Sequence, residues 1–319
     1  MEDTSTIDKP FLTYQEQIKK LKIDKGLQID DEEQAIALLK HYSYFDLISG
    51  YKSLFKDKAG NYKIHTSIND IYALYCFDDE IRAIFLKYIL MIEKHIKSLI
   101  SYSFCDENGE EQQLYLNVTK YNYIEKNQDE INDLVSRLKK IIDEPKNYPY
   151  VKHQKKKHNN VPLWVMMKAL TLGTVSKMYS FLPQKIQFSI SKEFDYVHEG
   201  MLIQMLDLLS RVRNVCAHSE RLYDYRYKKG TIDDTDIHRI LNISVKKNNY
   251  IKGKNDLFAV VIIFKYLLSE NDFQQFVNKL EATIDHLFDQ TKCIESKQLL
   301  KCMGFPDNWK DIRNCSKTI

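Results

Sequence analysis

Glycine and proline are scarce in this chain of 319 residues, which has 9 of one and 6 of the other. A many-stranded sandwich or barrel needs turn residues at short intervals, so their scarcity argues for a mostly helical fold. The six cysteines (Cys76, Cys105, Cys216, Cys293, Cys302, Cys315) are dispersed, with no Cys-x-x-Cys and no paired Cys/His spacing. That argues against a zinc site and a disulfide framework and suits a reducing cytoplasm. No metal or other cofactor is expected. An uncharged apolar run of about 18 residues, enough to span a membrane, is missing too; the stretch Val260 to Leu268 is short and carries Lys265. The first residues, Met1 to Ser5, are acidic and polar and do not read as a signal peptide. These features lead us to expect a cytoplasmic protein with no membrane partner. Charge of one sign is absent as well: 47 basic against 44 acidic residues leave +3, so any case for nucleic acid must rest on local patches.

What the chain does have is helical punctuation. Thr13-Tyr14-Gln15-Glu16 is a capping-box pattern for a helix to about Leu21, and Asp30 to Glu33 opens a second. That second helix leads into an aromatic cluster of Tyr42, Tyr44, Phe45, Tyr51 and Phe55, best read as contacts between helices. From Asn69 to about Phe104, apolar residues recur at helical spacing. Arg82 and Glu93 fall about 20° apart on that helix, and Asp78–Arg82 and Glu93–Lys97 are i,i+4 pairs. Two readings stand open: a solvated stripe of ion pairs, or a buried Glu93 that orients a catalytic His or Arg.

Residues Leu114 to Ile142 read as helical, with a break around Thr119 to Tyr123. Asp143 to Val161 reads as a long loop, punctuated by Pro145 and Pro149. It holds the clearest basic patch, four lysines (Lys152, Lys155, Lys156, Lys157) and two histidines within seven positions, suited to an RNA backbone. Pro162-Leu163-Trp164 opens a helix through Phe181, with Trp164 as a core or interface anchor and Gly173 as a point of close helix packing. Helical patterns return at 199–218, 255–269 and 272–291, and Gly304 to Ile319 reads as a polar, fraying end.

The segment Arg211-Val212-Arg213-Asn214-Val215-Cys216-Ala217-His218 follows the apolar run Met201 to Leu209. Arg is permanently charged, planar and suited to phosphate, and His can lend and take a proton near neutral pH. Together they suggest a site that binds a phosphodiester and moves protons around it. On a regular helix Arg211, Asn214 and His218 fall within about 60°, whereas Arg213 points about 140° from His218. Either the helix ends near Ala217, or Arg213 and His218 meet across a dimer.

Arg213-Asn214-Val215-Cys216-Ala217-His218 resembles the Arg-x4-His motif of HEPN ribonucleases. Ser219 to Tyr223 extends the likeness towards the Abi-like (AbiD/AbiF) abortive-infection proteins. Gln15 to Ile18, Tyr42 to Tyr51, Arg82 with Ile92-Glu93-Lys94, and Pro162-Leu163-Trp164 through Tyr179 are similar to that family's pattern in the correct order, over residues 10 to 225. The resemblance implies a HEPN-like helical bundle in residues 1–225, with additional N-terminal helices, and a C-terminal helical extension, 226–319, packed on the same body.

It also implies a homodimer with a composite cleft and a metal-independent endoribonuclease acting in phage defence. In that chemistry the ribose 2′-OH attacks the adjacent phosphorus, leaving a 2′,3′-cyclic phosphate and a 5′-hydroxyl, so DNA is not cut. His218 takes the acid/base role, Arg213 the phosphate and Asn214 an orienting role, with Glu93 as a supporting carboxylate. Lys152, Lys155, Lys156, Lys157, Arg211 and Arg221 are the candidate RNA contacts. RNA is thus the expected partner, as substrate and as a regulatory noncoding RNA. The alternative is a noncatalytic RNA-binding or protein-interaction module of a defence or toxin–antitoxin system. A phosphate-cradling glycine loop or paired acidic metal site, which another phosphate-ester chemistry would need, is not found.

Overall fold

The structure, a computed structural model, describes residues 10–317; the polar start Met1 to Ser5 and the last two residues lie outside them. The fold is all-α, at 68% helix and 3% strand. The helices are α1 (Tyr14–Lys19), α2 (Glu32–Tyr42), α3 (Ile68–Asn108), α4 (Gln112–Tyr115), α5 (Gln128–Asp143), α6 (Pro149–His158), α7 (Leu163–Met166), α8 (Leu172–Phe181) and α9 (Gln184–Ser191). After these come α10 (Glu199–Ala217), α11 (Asp236–Ile240), α12 (Leu257–Leu267), α13 (Glu270–Gln290) and α14 (Ser296–Met303). A two-stranded antiparallel ribbon, β1 (Val245–Lys246) and β2 (Asn249–Tyr250), lies between α11 and α12. No helix among the described residues is long and apolar enough to cross a membrane.

The chain forms two compact units, residues 1–81 with 280–301, and 82–279 with 302–319. Of the residues beyond 225, 280–301 fall in the first unit and the others in the second. In the first unit the capping box is real: the Thr13 amide donates to Glu16 Oε2 at 2.7 Å, and the Glu16 amide donates to Thr13 Oγ1 at 3.3 Å. Asp31 caps α2 through the Gln34 amide at 2.9 Å. Tyr42 packs against the rings of Tyr72 and Tyr75, and Tyr51 and Phe55 are buried, as contacts between helices require. Phe45 departs from that reading and faces solvent.

The second unit is built around α10. Its face Met201, Leu202, Met205, Leu206, Leu209 and Val212 is buried, and α8, α9 and α12 pack against it. All of α12 is buried, Lys265 included. A helix apolar on every side has to sit inside a core. Lys265 is tolerated because its ammonium donates to Glu270 Oε2 at 3.0 Å and to the Arg313 carbonyl at 3.2 Å. The amphipathic α5 buries Ile131, Leu134, Val135, Leu138 and Ile142.

Five expectations need correcting here. The 143–161 segment is not a loop, because Pro149 stands at the first turn of α6, where a missing amide costs nothing, and Asn159 ends the helix in the left-handed region at φ 49°. The break after Trp164 comes at Leu170 and Thr171, so one expected helix is two, α7 and α8, joined by a 3-10 turn. Trp164 is no core anchor, since it is half-exposed, and a Cβ on Gly173 would meet only the Thr171 hydroxyl at 3.9 Å, so no helix packs closely there. The described part of the C-terminal stretch is anchored rather than fraying: Phe305, Trp309, Ile312 and Cys315 are buried, and Trp309 to Asn314 form a 3-10 helix.

Candidate functional site

The motif occupies the last turn of α10 and the turn that stops it. The helix ends at Ala217, and His218 is its C-cap. Its amide still donates to the Asn214 carbonyl at 3.0 Å. Beyond it, Glu220 N–H reaches back to the Val215 carbonyl at 3.0 Å and Ser219 N–H to Cys216 at 3.4 Å, with Ser219 in the left-handed region at φ 56°. This is a complete Schellman stop, which satisfies the end carbonyls of the helix and turns the chain sharply. Leu222 and Tyr223, immediately after, are fully buried. The motif turn is therefore pinned by core packing on both sides, while His218 itself is exposed.

A second tie comes from α3. Arg82 is buried, and its Nη1 donates to the Glu220 carbonyl at 3.4 Å. Arg82 stood in the helix pattern read from the sequence without a site role; the structure places it against the turn that follows the motif.

The side chains of Arg213, Asn214 and His218 make no hydrogen bond to one another or to any described residue. The Nε of Arg213 is buried without a partner. Asn214 and Arg211 share a face, as their spacing implies, and both line a cleft of about 230 Å³ between α5, α8 and α10. Arg211 is paired there with Asp207 at 3.4 Å, and Lys177 is paired with Glu130. The guanidinium of Arg137, on the α5 wall of the same cleft, has no acceptor among the described residues. Nothing in the sequence singles out Arg137, which lies on an ordinary amphipathic helix. Arg213 does not line that cleft.

Glu93 is buried, which excludes the solvated-stripe reading for it. Its Oε1 pairs with Lys97 Nζ at 2.6 Å, and Lys97 also donates to the Leu170 carbonyl at 2.6 Å. Glu93 Oε2 is buried and has no partner. No hydrogen bond among the described residues joins Glu93 to Arg213 or His218. The basic patch lies along α6: Lys152, Lys155, Lys156 and Lys157 are exposed, with Lys155 donating to the Ile142 carbonyl at 3.0 Å. Arg221 donates to Asp224 at 2.8 Å. No group of three or more His, Cys, Asp or Glu side chains among the described residues could hold a metal ion.

No curated protein and no solved structure matches the chain. The model of one family, described as Abi-like protein, matches residues 37–224, more than half of it. That span contains the Tyr42–Tyr51 element, Arg82, Glu93 and the whole motif turn, and it begins after Gln15 to Ile18. The chain belongs to the Abi-like protein family, which implies an abortive-infection role in phage defence.

Proposed function

We propose that this protein is the RNA-cleaving effector of that defence, a metal-independent endoribonuclease of HEPN type. The observation that carries the reading is the state of the motif: three strongly polar side chains, Arg213, Asn214 and His218, sit on a rigidly held turn with no intramolecular hydrogen bonds. Buried polar groups kept for structure are normally satisfied by neighbours, and the buried Arg213 Nε is not. That nitrogen, beside the solvent-exposed Asn214 and His218 on a fixed backbone, suits a ligand rich in acceptors, such as a phosphodiester. Arg213 holds the nonbridging oxygens, His218 exchanges protons with the 2′-OH or the leaving 5′-oxygen, and Asn214 orients the phosphate. Glu93 stays in the proposal as a supporting carboxylate, on the strength of its burial and of the oxygen left without a partner.

Since Arg213 and His218 are not joined within one chain, the working site is taken to be composite, with two copies facing each other. The exposed lysines of α6 and Arg211 and Arg221 supply RNA contacts, for the substrate and for a restraining noncoding RNA. A constantly active nuclease would damage its own host, which is why restraint belongs to the proposal.

The test is to incubate wild-type and His218→Ala protein with labelled mixed RNA in EDTA and analyse the ends. Cleavage by wild type alone, leaving 2′,3′-cyclic phosphates, is the expected result. The same absence of an intrachain hydrogen bond between Arg213 and His218 favours one competing reading, a noncatalytic RNA-binding module. Under that reading neither protein cuts, and both bind RNA equally well.

A further inference from the structure

A groove of about 490 Å³ runs between α3 and the α7 region of the second unit; Glu93 lines it, while Arg213, Asn214 and His218 do not. Leu90, Lys94 and Ser98 line it from α3, and Trp164 and Lys168 from the other wall. Trp164 is 51% exposed. The local geometry explains why: Leu163 and Met166 take the buried face of the short α7, which leaves the indole outward. Keeping a large ring half in water is unfavourable, so a ligand that covers it would be rewarded.

The charge around the ring says what that ligand is. Lys94 has no acidic partner among the described residues. Lys168 has none either, and its ammonium lies over the ring of Tyr150, 5.4 Å from the centroid. Tyr150 in turn packs edge-on against Tyr148, at 6.1 Å between centroids, where α6 begins. Glu93 is the acid of the groove, and Lys97 neutralises it. Cations and aromatic rings therefore alternate from Lys94 through Trp164 and Lys168 to Tyr150, and the line leads to the lysines of α6. Surfaces that track single-stranded nucleic acid are built this way, with rings for the bases and cations for the backbone.

We propose that this groove binds single-stranded RNA, with Trp164 stacked on a base and Lys94 and Lys168 on the flanking phosphates. The choice of RNA over DNA rests on the function proposed above; the stacking and charge argument does not. Through the contact of Lys168 with Tyr150, the start of α6 adjoins one wall of the groove.

The full-length protein is titrated with a non-cleavable 2′-O-methyl oligonucleotide of about 12 nucleotides, reading tryptophan emission. The sequence helps: of its two tryptophans, Trp309 is 1% exposed, so quenching reports Trp164. Wild type should quench on binding, and Trp164→Phe should bind with nearly the same affinity but no quenching. Trp164→Ala should weaken binding about tenfold, within the range for losing one stacked base. Lys94→Gln with Lys168→Gln should lower the slope of log K against log salt by about 1.4, at roughly 0.7 per phosphate contact on a single strand. All three positions are on the surface, so the variants should fold.

Binding without quenching, and with the same affinity in Trp164→Ala, would place RNA elsewhere and overturn the proposal. So would a concentration-dependent dimer in sedimentation that Trp164→Ala abolishes while RNA affinity stays, since a second copy would then cover the groove. The probe cannot be cut, so a failure of the nuclease reading and a failure of the groove are separate results.

Discussion

Arg82 and Glu220 join α3 to the turn that follows the motif: the guanidinium donates from Nη1 to the Glu220 carbonyl at 3.4 Å. Glu220 is also the residue whose amide closes the helix stop on Val215 at 3.0 Å. Glu220, two residues after His218, is thus held through both its amide and its carbonyl, which limits where the imidazole can go. Arg82→Met should destabilise the protein by about 2 kcal/mol, the usual size for a hydrogen bond to a charged group. On the proposed nuclease function, the rate of RNA cleavage should fall at least tenfold with RNA affinity kept, while Arg82→Lys recovers part of the stability. Urea melts and cleavage rates on the same preparations check it. A variant that loses stability and keeps its full rate would show that Arg82 does not position the motif.

Ser219 carries a cost that a glycine would not. At φ 56° it occupies the left-handed region, where a Cβ crowds the following carbonyl. Ser219→Gly should raise stability by about 0.5–1 kcal/mol and leave the turn geometry and the cleavage rate in place. A glycine variant that is more stable but slower would mean that the turn is needed stiff.

Much of the fold was legible, for reasons that can be given residue by residue. The apolar repeat of α3 and the uniformly apolar α12 announce themselves by period and composition, and Thr13 with Glu16 is a local signal that no tertiary contact overrides. α6 was hidden because two prolines and a run of lysines read as a loop, although a proline at the first turn is compatible with a helix. The anchoring of Phe305 to Cys315 is hidden by the polar average of that stretch, in which Phe305 and Trp309 are the readable clue. At the site, the motif and the burial of Glu93 were within reach of the sequence. The Schellman stop was not, because its left-handed position holds Ser rather than Gly, and the exposure of Trp164 depends on which side of a one-turn helix meets the core.

Asp256 should make stability depend on pH. It caps α12 through the Ala259 amide at 3.0 Å and accepts twice from Gly253 at 3.1 Å. Burial nevertheless pushes its carboxyl up to about 6, against the pull of Arg226 and these amides. A carboxyl raised in the folded state stabilises below its unfolded value near 4, where both states hold the proton, and this stabilisation is lost as pH rises through about 6. Two pK units correspond to about 3 kcal/mol. Asp256→Asn keeps the cap and should flatten the difference in unfolding free energy between pH 4 and pH 7 by up to that amount. Parallel denaturant melts at the two pH values give the answer, and an unchanged difference would rule out Asp256 as the source.

Gly304 is required by the same carboxylate. A Cβ at this position would lie 2.2 Å from Asp256 Cγ, and the backbone has φ 82°. Neither the overlap nor the left-handed backbone can be relieved without moving the anchored C-terminal turn. Gly304→Ala should cost about 3 kcal/mol, whereas Lys310→Ala, on the exposed face of that segment, should cost little. Thermal unfolding of both variants tests the contrast, and equal midpoints would refute it.

The proposed composite site makes the sharpest demand on the motif. If Arg213 of one copy serves the same phosphate as His218 of the other, neither Arg213→Ala nor His218→Ala protein should cleave RNA alone. Mixing the two after reversible dissociation should restore activity, because a mixed dimer assembles one site with both side chains intact. With random exchange, half of the dimers are mixed and each has one working site of two, so about a quarter of wild-type activity is expected. Should each site draw Arg213 and His218 from a single chain, every site in the mixture lacks one of them and the activity stays at the level of the single variants. The lack of any intrachain hydrogen bond between these two side chains favours recovery, and cleavage measured before and after subunit exchange distinguishes the two arrangements.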